Sequence, residues 1–208
     1  MLKVSSIVPP VLTCLIGKRL GDAASSHQHP PAHFELRDLS ASLISLLCKR
    51  FGDSTHALKP RLTRTCLKAF LDPSKPPGTH YGAIIGLHAI GGREAVRVLV
   101  IPNLKLYETV LKEGLGAEDD VKRAEAEMCL KAIVVVLKSL EEEQALVVGD
   151  NGPDEMDYTN GDREDEIGEA LRKRLSDRIG DVIAKEICKL GKKGLIRAIL
   201  DSSGLTLR

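Results

Sequence analysis

Histidines, cysteines and clustered carboxylates are the side chains that could do chemistry in this chain, and their spacing decides whether they can. His27, His29 and His33 lie close together, and neutral imidazole is a common metal ligand. They stand among prolines and serines with no cysteine or carboxylate at ligand spacing before Glu35, so a zinc ligand set is missing and a solvated loop is the reading. His80 and His88 fall on a glycine-rich helix, where capping or hydrogen-bonded core histidines are expected. Residues 149–166 hold eight acidic side chains, but not in the D-x-[DN]-x-[DN]-G order that wraps calcium. The glycine patterns that cradle phosphates, the G-x-S-x-G elbow and the H-E-x-x-H pair are all missing. No catalytic, cofactor-binding or metal residue is assigned, no cofactor or small-molecule substrate is expected, and the chain reads as a non-enzyme.

Two basic features remain. Arg61, Arg64 and Lys68 recur at i, i+3 and i+7, opposite an apolar helix face, with Lys49, Arg50, Lys59 and Lys75 near them in sequence. From residue 171 onward Arg172, Lys173, Arg174, Arg178, Lys185, Lys189, Lys192, Lys193 and Arg197 outnumber the acids. Each is read first as a solvated face and second as a contact for an acidic partner or for DNA phosphates. The Arg61/Arg64/Lys68 stripe is the candidate partner contact. With a net charge of +1 and 3% aromatics, direct DNA contact is not the expectation and base stacking is disfavoured.

These residues need elements to position them, and the periodicity is helical throughout. With 208 residues, 43% hydrophobic and no Trp, the core has to be built from Leu, Ile, Val and Ala. A chain of this length can bury enough apolar surface to fold without disulfides. The five cysteines are scattered singly, as in a reducing compartment, and are expected to be small buried hydrophobes. No signal peptide or membrane span is seen, so an intracellular, soluble protein with no membrane partner is expected.

Helices are predicted near 10–20, 34–51, 57–71, 79–90, 93–113 and 117–142. The first begins at Pro9-Pro10; the second has Leu36, Leu39, Leu43, Leu46 and Leu47 on its apolar face. The short turn between the second and third predicts an antiparallel pair. Gly82, Ala83, Gly86 and Ala89 line one face of the 79–90 helix, which Gly91-Gly92 closes. Helical glycines cost about 1 kcal/mol each relative to alanine, so another backbone is expected against that face. Pro102 should kink or break the next helix. Glu118, Asp119 and Asp120 suit the positive end of the helix at 117–142. Residues 1–148 thus read as a body of antiparallel helix pairs, 149–166 as an acidic disordered loop, 167–200 as a long C-terminal helix packed on that body, and 201–208 as a tail. Pairs of this length match the period of HEAT and armadillo solenoids. The fold class is all-α, an α-solenoid.

Specific residue blocks go further. Val11–Leu15 (VLTCL), Leu36–Ala41 (LRDLSA), Cys48–Phe51 (CKRF) and Thr79–Leu87 (THYGAIIGL) resemble the C-terminal HEAT-repeat domain of transcription initiation factor TFIID subunit 6. Phe34 stands where that family often has Trp, and the acidic loop looks like an insertion. The resemblance implies HEAT repeats, a nuclear location, and a scaffold role among the other subunits of TFIID or of SAGA-type coactivators, which are then the expected partners. It carries no catalytic residue. The motif residues it marks as structural are Leu36, Arg37, Asp38, Cys48, Lys49, Phe51, Thr79, Tyr81, Gly82 and Gly86. The family's domain begins with further helices and follows a histone fold, so the chain reads as the HEAT part of a larger subunit. The alternative is a free-standing HEAT-type adaptor or transport scaffold.

Overall fold

The computed structural model describes residues 4–18, 20, 33–52, 57–141 and 161–202. All regular structure among them is helical: α1 (Val4–Ile16), α2 (His33–Phe51), α3 (Leu58–Leu71), α4 (Pro77–Ala95), a π-helical turn (Val96–Val100), α5 (Ile101–Leu115), α6 (Asp120–Lys138), α7 (Gly161–Ile179), α8 (Asp181–Lys189) and α9 (Lys193–Asp201). The chain is the expected all-α solenoid of stacked helix pairs, built on one contiguous core running from Leu15 to Leu200. None of these helices is long and apolar enough to cross a membrane.

The pairing differs from the expected one. α2 and α3 barely touch; instead α1 packs on α2, α3 on α4 and α5 on α6, with α4 also against α1, α2 and α6. The six residues between α2 and α3 therefore join two pairs rather than close one. The apolar face of α3, Leu58, Leu62, Cys66, Ala69 and Phe70, is buried, and α4 is what covers most of it.

α2 is also rotated relative to the expectation. Its buried residues are Phe34, Arg37, Ser40, Ala41, Ile44 and Cys48. Leu36, Leu39, Leu43 and Leu46 are 39%, 58%, 40% and 62% exposed, and Leu47 is half-buried. Both faces of this helix are apolar, so periodicity alone cannot choose between them. Arg37 chooses, because its guanidinium meets the end of α1 and brings Phe34, Ala41, Ile44 and Cys48 inward with it.

Several boundaries move for local reasons. α1 starts before Pro9 and Pro10 and ends at Ile16, short of the expected Leu20. The two missing N–H donors fall in its second turn, and Gly17 follows its last residue. α4 starts at Pro77, which suits the first helical position. The expected closure at Gly91-Gly92 is a kink inside α4, with Gly92 at φ 58° and ψ −146°. Irregularity near Pro102 falls one turn upstream, in the π-helical turn. A proline ring clashes with the carbonyl four residues back, here Val98, and the wider turn relieves it. α6 begins at Asp120 because Asp119 caps it, its carboxylate accepting from the Val121 N–H at 3.0 Å.

In place of one long C-terminal helix there are three. Gly180, at φ 89°, separates α7 from α8, and Gly191, at φ 65°, lies between α8 and α9; both are positions where a left-handed backbone suits glycine. Residues 161–166, assigned to the acidic loop, belong to α7, while the first twelve residues of that loop and residues 203–208 of the tail lie outside the described residues. Cys48, Cys66 and Cys129 are buried as expected, whereas Cys14 and Cys188 are only half-buried.

Candidate functional site

α1 ends where three other helices converge, and Arg37 sits at that point. Its side chain is 2% exposed. One terminal nitrogen donates to the Leu15 carbonyl at 2.6 Å, the other to the Gly17 carbonyl at 2.9 Å, and Nε donates to His33 Nδ1 at 3.3 Å. The last carbonyls of a helix lack internal partners and carry partial negative charge, so a guanidinium there both satisfies and neutralises them. Burial draws Arg37 down from 12.5 to about 10, so it remains a cation at neutral pH. Because His33 Nδ1 accepts, Nε2 holds the ring proton and donates it to Glu125 of α6 at 3.1 Å. The latch thus ties α1, α2 and α6 together.

α4 supplies the fourth wall. The Thr79 hydroxyl donates to the Gly17 carbonyl at 3.3 Å. Tyr81 donates to Asp38 Oδ1 at 2.7 Å and meets Phe34 edge-on, ring centres 4.7 Å apart. Burial and the Asp38 carboxylate both push the Tyr81 phenol up. A Cβ on Gly82 would lie 1.8 Å from the Leu15 carbonyl oxygen, and one on Gly86 would lie 2.8 Å from the Leu15 side chain. The close backbone approach expected at the glycine face of α4 is the C-terminal end of α1.

The motif residues therefore separate into two groups. Arg37, Asp38, Thr79, Tyr81, Gly82 and Gly86 are brought together around Leu15 and Gly17. Leu36 and Lys49 are exposed, Cys48 is buried, and Phe51 is half-buried at the end of α2. His33 and Glu125 complete the latch; the sequence singled out His33 only within a histidine cluster read as a solvated loop, whereas it opens α2, and it did not single out Glu125. His33 and Arg37, four residues apart at a helix start, were a signal that could have been read; Glu125, 92 residues from His33, offered none.

The remaining sequence candidates are placed as follows. Arg61, Arg64 and Lys68 are all exposed on α3, opposite its buried face. Lys49, Arg50 and Lys59 are exposed beside the junction of α2 and α3, while Lys75 pairs with Asp72 at 3.2 Å. At the other end, Arg172, Lys173, Arg174, Lys185 and Lys189 are exposed on α7 and α8, and Lys192 pairs with Glu141 at 2.6 Å. His80 is a core histidine: it is fully buried, donates from Nε2 to the Asp72 carbonyl at 2.9 Å, and packs edge-on against Tyr107. Burial draws its pKa below 6.5, and among the described residues Nδ1 finds no partner. Cys66 and Cys129 are pushed up to about 12 by burial, which leaves them poor nucleophiles at neutral pH. His27 and His29 lie outside the described residues.

Residues 3–105, which include every residue of the latch except Glu125, match the TAF6 C-terminal HEAT repeat domain. By this segment the chain belongs to that family. It is 46% identical over 141 residues to the "SAGA complex/transcription factor TFIID complex subunit Taf6" of Schizosaccharomyces pombe, which covers 68% of this chain and 30% of that protein. It is 42% identical over 132 residues to "Transcription initiation factor TFIID subunit 6b" of Arabidopsis thaliana, covering 62% of the chain and 24% of the relative. The Drosophila melanogaster "Transcription initiation factor TFIID subunit 6" is 34% identical over 109 residues, 52% of the chain and 17% of the relative. The chain thus spans less than a third of the length of these relatives.

Proposed function

We propose that this chain is the HEAT-repeat portion of a nuclear transcription-initiation subunit, a scaffold that joins other subunits of a TFIID- or SAGA-type assembly. The observation that carries the reading is the match of residues 3–105 to a domain whose relatives are named as subunits of those complexes. The latch supports it in kind: its buried polar groups are spent on joining helices, which suits a rigid spacer rather than a reaction centre. Work of this sort is done by surfaces, and the exposed Arg61, Arg64 and Lys68 stripe is the face assigned to an acidic region of a neighbouring subunit.

Affinity purification of the tagged chain from nuclear extract, read by mass spectrometry, tests the proposal. Recovery of TFIID or SAGA subunits is the expected result. A preparation that brings down other proteins and no subunit of either complex would overturn it in favour of a free-standing adaptor.

A further inference from the structure

α2 and α4 run side by side in the same direction: Arg37 and His33 lie against Gly78, Asp38 against Tyr81, and the end of α2 is level with the end of α4. Close contact at their N-terminal halves gives way to a groove of about 550 Å³ between their C-terminal halves. Its floor is small and apolar, formed by Ala41, Cys48, Ile85 and Ile90. Asp38 stands at one end, and Lys49 and Lys59 stand at the other. Lys59 comes from the first turn of α3 and lies over Gly52, where an added Cβ would meet its Cε at 2.4 Å. Its charge also reaches Cys48, working against the burial that raises that thiol.

Two lysines set at one end of a groove repel each other and favour an anionic occupant. Among the described residues lining the groove Asp38 is the single acid, and it is eleven residues back along α2 from Lys49, or about 16 Å on a helical rise. Both Lys49 and Asp38 belong to the sequence blocks that carry the family resemblance. Lys49 is exposed, and the Tyr81 hydroxyl occupies only one oxygen of Asp38.

We propose that this groove binds a short extended segment of another protein, of about five residues at 3.3 Å each. The segment presents small to medium apolar side chains to the floor and a carboxylate to Lys49 and Lys59. The two ends differ in charge, so the segment binds in one direction, with its basic or N-terminal end toward Asp38. This site is distinct from the Arg61, Arg64 and Lys68 stripe and stands whichever assembly the chain joins.

Random seven-residue peptides displayed on phage and selected on the immobilised 208-residue chain test it, with affinities of the synthesised winners read by fluorescence anisotropy. Enriched peptides are expected to share an apolar run ending in Asp or Glu, and the K49E/K59E variant should weaken them at least about tenfold. Ser45 of α2 also lines the groove, so a second variant, S45W, fills it and should abolish binding without touching the lysines. Lys49 and Lys59 are exposed and Ser45 is half-buried, and thermal melts check that each variant is folded. No enrichment on the wild-type chain, or peptides that bind the folded K49E/K59E and S45W variants as they bind the wild type, would overturn the proposal.

Discussion

The Arg37 guanidinium donates to the Leu15 carbonyl at 2.6 Å, across 22 residues of sequence, and that bond sets how the first two helices meet. Replacing Arg37 with Met leaves the buried Leu15 carbonyl without its Arg37 donor and the Gly17 carbonyl with only the longer Thr79 bond. Hydrogen bonds to charged groups contribute more than neutral ones, so R37M should cost about 2–4 kcal/mol of stability. R37K should recover little of it, since an ammonium cannot reproduce the planar fork that reaches both carbonyls. Urea unfolding with an unchanged m-value measures both variants. An R37M protein as stable as the wild type would show that the latch only decorates a junction held by its apolar neighbours.

Two glycines make opposite predictions. Gly82 lies where a Cβ would fall 1.8 Å from the Leu15 carbonyl oxygen, whereas a Cβ on Gly168, inside α7, meets nothing within 4 Å. Alanine is favoured in helix interiors by about 1 kcal/mol. G168A should therefore raise the melting temperature. G82A has to push α1 away and should lower it, with overpacking costs of about 1–3 kcal/mol or more outweighing the propensity gain. If both variants melted alike, close approach would not be the reason for glycine in α4.

How far the sequence alone reaches is visible at these same residues. The helical class followed from periodicity, and the glycine face of α4 announced a close backbone neighbour without naming it. The rotation of α2 did not follow, because its leucine face is as apolar as the face built on Phe34, Ile44 and Cys48; a bond between Arg37 and the end of another helix decided it. For the same reason the pairing of α3 with α4 rather than α2 is a tertiary choice that a short linker does not dictate. In the candidate site, Arg61, Arg64 and Lys68 were legible as an outward face because they oppose Leu62 and Cys66 on one helix. The His33–Glu125 bond joins two helices with no shared local pattern.

His80 makes stability depend on pH. Its pKa is drawn below 6.5 by burial, so as pH falls the unfolded chain takes up the proton before the folded one does. Stability on this account is full above about pH 6.5 and declines below it, by at most about 1.4 kcal/mol per pH unit for one proton. H80Q keeps a donor toward the Asp72 carbonyl but does not titrate. Denaturation midpoints between pH 7.5 and 5 should fall more steeply for the wild type than for H80Q, and equal slopes would assign the acid sensitivity to other groups.

Glu108 of α5 holds the junction of α7 and α8. Its carboxylate accepts from the Val182 N–H at 2.9 Å, at the first turn of α8, and is paired with Lys112 at 3.2 Å. Lost N-terminal caps cost about 0.5–2 kcal/mol, and E108A should fall in that range. Amide hydrogen exchange localises the effect: protection should drop in the first turn of α8 while that of α2 and α4 is unchanged. Uniform loss across the chain would mean that Glu108 supports the whole fold rather than this cap.

Charge reversal on α3 separates a docking face from a solvated one. Arg61, Arg64 and Lys68 are exposed, and exposed substitutions usually change stability by within about 0.5 kcal/mol each. The triple variant R61E/R64E/K68E should accordingly melt close to the wild type. If the stripe meets an acidic region of a neighbouring subunit, the same variant should lose partners in affinity purification from nuclear extract, because like charges brought together at an interface cost several kcal/mol. Raising the salt concentration should weaken the wild-type interaction in the same direction, as screening removes the attraction between exposed charges. A triple variant that is folded and recovers every partner at wild-type yield would leave the stripe as a solvated helix face, and the surface that joins the assembly would have to lie elsewhere on the solenoid.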